Sequence, residues 1–95
     1  MKNFIKVQEV SYVTFDNKRA YPQYDTRFQP EISLSIKSIY KITHSFDALV
    51  KPSDTPGGDV VRVTDILCAT LAGYQTVTVI GTPEEIDRKI SEALA

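Results

Sequence analysis

Apolar and polar residues alternate along most of this chain with the period of two that a half-buried strand requires. Phe4 to Val7 opens a first strand, which resumes from Val10 to Phe15. The apolar phase shifts between Val7 and Val10, so a bulge or bend is expected near Gln8-Glu9. Ile32, Leu34 and Ile36 alternate with Ser33, Ser35 and Lys37, and the pattern continues less cleanly through Tyr40 and Ile42. Val60 to Leu71 is the next strand, and Gln75 to Ile80 returns alongside it. Between them Leu71-Ala72-Gly73-Tyr74 reads as a tight turn in which Gly73 can take positive φ. At Gly81 the period changes. Thr82 can cap a helix, Pro83 suits its first position, and Glu85 sits three residues after the cap. Ile86, Ile90, Ala93 and Leu94 then share one helical face, opposite Asp87, Arg88 and Glu92. A helix of about eleven residues, some 16 Å, is too short to persist alone and must pack on the sheet.

The stretches without periodicity are read as turns and loops. Asp16-Asn17-Lys18-Arg19 is a turn. Prolines at 22 and 30 argue against a central strand, so residues 20 to 30 are expected as an ordered loop pinned by Tyr21, Tyr24 and Phe28. Asp47 to Asp59 forms a second loop, with two prolines and two glycines at its centre. The expected fold class is therefore α+β: a small, strongly curled antiparallel β-meander of four to five strands with one C-terminal helix packed on it. Such a meander leaves at least one edge strand to be paired or covered.

Ninety-five residues form a single domain, residues 1–95, long enough to bury roughly 65% of its unfolded surface in one modest core. One cysteine excludes an internal disulfide framework and a cysteine-built zinc cluster, which favours a cytoplasmic setting. The opening MKNFIKVQEV reads as a strand rather than a signal-peptide core, and no apolar run approaches the ~20 residues that span a bilayer. The net charge of −1 offers no general attraction to nucleic acid or an anionic membrane. Its distribution is less even. Residues 1–45 carry seven Lys or Arg against four acids, +3, whereas residues 46–95 carry four against eight, −4.

Few residues suggest chemistry. His44, Asp47 and Cys68 are the parts of a nucleophile–base–orienter set, but ILCATL makes Cys68 a small core hydrophobe and an inert thiol. Asp54, Asp59 and Asp65 match no calcium loop, and Gly57-Gly58 matches no phosphate-cradling motif. No metal, cofactor or small-molecule substrate is expected. The segment from Tyr12 to Phe28 stands apart. It holds five of the nine aromatics, with Lys18, Arg19 and Arg27 interleaved. Tyr and Arg bury large areas at interfaces while keeping a polar end usable. Tyr12, Lys18, Arg19, Tyr21, Tyr24, Arg27 and Phe28 are the candidate partner-binding residues. The same mixture can stack bases and contact phosphates, although the absence of net basic charge weighs against nucleic acid.

Several segments carry a family resemblance. An opening FIKV strand, a central strand ending in SIYKI, and the run ATLAGYQTVTVIGTPEEIDRKI resemble the small flagellar and swarming-motility (FlbD-like) proteins and their uncharacterised phage and mobile-element relatives. Ile36-Lys37-Ser38-Ile39 stands at that family's I-x-x-I strand, Leu71 to Gly73 at its hairpin, and Val79 to Ile86 at its V-x-[ST]-x-E-E-I segment. The resemblance covers about two-thirds of the chain and implies a structural motif without catalytic residues. The chain is thus expected to be a small non-enzymatic module for protein interaction or self-assembly (homo-oligomerisation). A nucleic-acid-binding regulator and a phage-encoded accessory or host-interfering protein are the alternatives.

Overall fold

The computed structural model describes residues 2–15, 20–51 and 58–95, with only the backbone of residues 27–30. Strands β1 (Phe4–Thr14), β2 (Gln23–Ser35), β3 (Ile39–Val50), β4 (Asp59–Thr70) and β5 (Gly73–Ile80) precede helix α1 (Pro83–Leu94). A single 3-10 turn, Ile36–Ser38, separates β2 from β3. The molecule is a small fold of mixed helix and sheet, rich in antiparallel pairs, with one C-terminal helix.

The sheet closes into a barrel in the order β1-β2-β3-β4-β5, where the sequence suggested an open meander. Two short contacts make the closure. Glu9 and Val10 of β1 pair antiparallel with Val79 and Thr78 of β5. Gln23 and Tyr24 of β2 pair in parallel with Leu49 and Val50 of β3. The Leu49 amide donates to the Pro22 carbonyl at 2.9 Å and the Lys51 amide to the Tyr24 carbonyl at 3.1 Å. A parallel pair between successive strands requires the chain to circle the barrel before returning beside itself. Nothing in a period-two pattern reports that path.

Three sequence expectations need correction. Residues 23 to 30 are strand rather than loop. Pro30 is tolerated because the β1–β2 ladder is interrupted there, passing from Gln8↔Glu31 to Val10↔Thr26. Four residues of β2 thus oppose Glu9 alone, and a proline inside such a bulge forfeits no ladder hydrogen bond. The bulge at Gln8-Glu9 is where the phase shift placed it. Second, the alternation from Ile32 to Ile42 is two strands, broken at Ser35 where the Ser38 hydroxyl donates to the Ser35 carbonyl at 2.7 Å. Third, the Asp47–Asp59 loop is shorter, since β3 runs to Val50; residues 52–57 lie outside the described ones, as does the turn at 16–19.

β4 organises the core. Val63 and Thr64 are neighbours on this strand, and both are fully buried. Successive strand residues point to opposite faces, so both faces of β4 are covered there. On one face Ile66 and Cys68 pack with Ile5, Val7, Leu34, Val77, Val79 and the helix residues Ile86 and Ala93. On the other, Val63 packs with Val10, Tyr24 and Ala48.

Helix α1 is built as its sequence indicates. The Thr82 hydroxyl accepts from the Glu85 amide at 3.1 Å, and Pro83 takes the first turn. Ile86 and Ala93 are buried and Ile90 half-buried, but Leu94 is exposed. The helix lies against β1: the Lys2 amide donates to the Ala93 carbonyl at 2.7 Å, and Lys89 Nζ donates to the Lys6 carbonyl at 2.6 Å. Replacing Thr82 by alanine should cost about 1 kcal/mol in a urea titration, and unchanged stability would show that the cap is dispensable.

Candidate functional site

Of the candidate residues whose side chains are described, Tyr12 and Tyr21 are exposed and Tyr24 is buried. Tyr12 on β1 and Tyr24 on β2 are cross-strand partners. Their rings meet edge to face, 5.7 Å between centroids at an interplanar angle of 75°. Tyr24 in turn lies 5.9 Å from Phe46 on β3. Tyr12 is 61% exposed whereas Tyr24 is 9% exposed, so the row runs from solvent into the core. Tyr24 is therefore a core residue and only Tyr12 presents a surface. Burial pushes the Tyr24 phenol above its ordinary pKa, with Asp65 and Tyr12 adding to the effect. Asp65 is itself held by the Thr78 hydroxyl, which donates to Oδ1 at 2.6 Å.

Val13, Phe15 and Tyr21 are exposed beside the ends of β1 and β2. Val13 is the unpaired residue of a bulge between Tyr12 and Thr14, so the end of β1 is irregular where these exposed side chains lie. Lys18 and Arg19 lie outside the described residues; Arg27 and Phe28 lie on β2, with side chains outside them. Phe46 was not singled out from the sequence. It stands 22 positions from Tyr24, and only the parallel return of β3 beside β2 brings the two together.

His44 and Cys68 do not meet. His44 pairs with Asp65, three positions before Cys68 on an unbroken strand. An odd offset places the two on opposite faces of the sheet, about 10 Å apart along the strand. Asp47 faces Arg62 across the ladder, 3.3 Å from Nε to Oδ1. Cys68 is buried, and burial pushes its thiol pKa up while the Ser38 hydroxyl works the other way. Such a thiol is a poor nucleophile. Among the described residues no group of three His, Cys, Asp or Glu side chains is placed to hold a metal ion, and no helix is long and apolar enough to cross a membrane.

Two open grooves flank helix α1. One, of about 630 Å³, is lined by Phe4, Lys6, Ser33, Lys89 and Glu92 among others. Two of its cations have local partners: Lys89 holds the Lys6 carbonyl, and Lys6 lies 3.9 Å from Glu31. The other, of about 500 Å³, runs between the outer edge of β3 and the start of α1, past Lys41, His44 and Asp87. A second exposed aromatic pair lies elsewhere. Tyr40 and Tyr74, 61% and 63% exposed, sit 5.1 Å apart at the end of the sheet carrying the β4–β5 hairpin.

No family model, curated protein or solved structure matches this chain.

Proposed function

We propose that this chain is a small non-enzymatic module of the cell's reducing interior, which acts by binding a protein partner or another copy of itself. The observation that carries this is the seating of Tyr12. Its ring is mostly exposed, yet it is braced edge to face by a buried tyrosine that is in turn braced by Phe46. An aromatic side chain held in place before binding loses little freedom when a partner covers it. Rings of this kind dominate interface energetics, and Val13, Phe15 and Tyr21 supply apolar area around it. Kinship with the FlbD-like proteins belongs to the same proposal, supported by the hairpin and the capped helix quoted above, whereas the I-x-x-I segment is a 3-10 turn at Ile36–Ser38 rather than a strand.

The test is affinity capture from the source cell with the native chain, Tyr12→Ala and Tyr40→Ala side by side. The reading expects one partner to be retained by the native and Tyr40→Ala chains and reduced about tenfold by Tyr12→Ala, a typical hot-spot loss. Equal recovery on all three would end it. Tyr12→Ala should remain folded by circular dichroism, because the edge-to-face contact contributes only about 1 kcal/mol.

A further inference from the structure

The barrel is closed by two short contacts, and long stretches of strand edge therefore lack a ladder partner. Most carry protection. The outer edge of β1 from Phe4 to Gln8 has the Lys89 ammonium on the Lys6 carbonyl and the helix beside it. β3 pairs with β2 only at Leu49 and Val50, and its remaining edge bears Lys41, His44 and Asp47. Along β2 the described side chains include the charged Asp25 and Glu31. Charge and proline are the usual means of keeping a strand edge from pairing.

β5 has neither. Beyond Thr78 and Val79, which pair with β1, the stretch from Gly73 to Val77 meets no strand on the side away from β4, among the described residues. Ile66 to Pro83 is an uninterrupted run of 18 residues without Asp, Glu, Lys, Arg or His. Ala69 to Thr76 are all exposed, so this end of the hairpin is open on both faces as well as along its edge. Leu71 is wholly exposed at the tip, and Tyr74 lies against Tyr40 on one face. A two-stranded end that buries so little is marginal in water by itself.

We infer that this edge pairs with the same edge of a second copy of the chain. The inference goes beyond the Tyr12 reading above: it adds a second copy of the chain as a partner and a separate surface, the β5 edge, that receives it. Antiparallel pairing of a strand with itself across a twofold axis is self-complementary, residue i meeting j and j meeting i. With the axis at Gln75, Tyr74 of each copy lies opposite Thr76 of the other, an aromatic and β-branched pairing that favours sheets. The electrostatics select a copy of the chain over a charged partner. An uncharged edge meets an uncharged edge without repulsion, whereas a charged partner would find no counter-charge on it. The product is one sheet continuous through β3, β4 and β5 of both copies, with the two Tyr40–Tyr74 pairs on it.

Sedimentation equilibrium of the native chain, Gln75→Lys and Tyr12→Ala, from low to high micromolar concentration, tests this directly. The native chain and Tyr12→Ala should dimerise, and Gln75→Lys should weaken the dimer at least about tenfold, since it sets two lysines opposite each other. Amide exchange on the native chain supplies a second reading free of any variant. The amides of residues 73–77 should slow as concentration rises. A dimer abolished by Tyr12→Ala and indifferent to Gln75→Lys would overturn the edge assignment while sustaining the Tyr12 surface. A native chain that stays monomeric, or a dimer whose 73–77 amides exchange as fast as in dilute solution, would also overturn it. Neither result touches capture of a different protein through Tyr12.

Discussion

Ile66→Ala should lower the melting temperature by roughly 12–24 °C, the largest effect expected of any single methylene-removing change in this molecule. Ile66 is fully buried on β4. It pairs with Ile42 on one side and Val77 on the other, and it belongs to the cluster that helix α1 covers. Truncating such a side chain loses both its transfer free energy and the contacts around the cavity left behind. The cost is about 3 kcal/mol, with each kcal/mol worth some 4–8 °C in a domain of this size. The neighbours have little freedom to fill the space, because β4 is held by a strand on each side and covered on both faces. Leu71→Ala is the matching control. Its side chain is wholly exposed, so the same kind of change should leave the melting temperature within about 2 °C. Similar losses for both variants in a calorimeter would show that the core does not centre on β4.

Thr64→Val should cost about 2 kcal/mol, although it exchanges a hydroxyl for a methyl of nearly the same size in a fully buried position. The Thr64 hydroxyl donates to the Gly81 carbonyl at 2.7 Å and stands 3.2 Å from the Ser45 hydroxyl, which donates to the Val63 carbonyl. The Gly81 amide meanwhile donates to the Arg62 carbonyl at 2.9 Å. Gly81 is the joint between β5 and α1, and β4 thus grips both its polar groups. Valine would leave the half-buried Gly81 carbonyl without its Thr64 donor, a penalty that apolar burial of one methyl does not offset. Thr64→Ser separates the two contributions. It keeps the donor and loses only the methyl, so in chemical denaturation it should sit nearer the native protein than Thr64→Val does. The reverse order would mean that methyl packing, rather than the hydrogen bond, holds the joint.

Local patterns carried much of the fold. The run from Val60 to Ile80 reads as a hairpin because each strand alternates independently, and Gly73 at φ +120° closes it as a tight turn demands. The helix is legible because capping and periodicity are properties of adjacent residues. Residues 20 to 30 were misread for the converse reason. Two prolines make a central strand improbable by local rules, yet a bulge against Glu9 removes the conflict, and the bulge exists only in the presence of β1. The candidate site divides in the same way. Composition drew attention to the aromatics from Tyr12 to Phe28, but burial decides their roles: Tyr12 faces solvent, and Tyr24 belongs to the core.

By itself the sequence determined a strand-rich chain closed by one capped helix, a buried Cys68 and an uncharged run through the β4–β5 hairpin. Each is encoded in residues close together along the chain. Only the tertiary structure decided that the sheet closes on itself, that His44 and Cys68 lie on opposite faces, that Phe46 braces Tyr24, and that Gly73–Val77 meets no strand on the side away from β4 among the described residues. These depend on which distant segments come to lie side by side, through long-range packing that no local periodicity encodes.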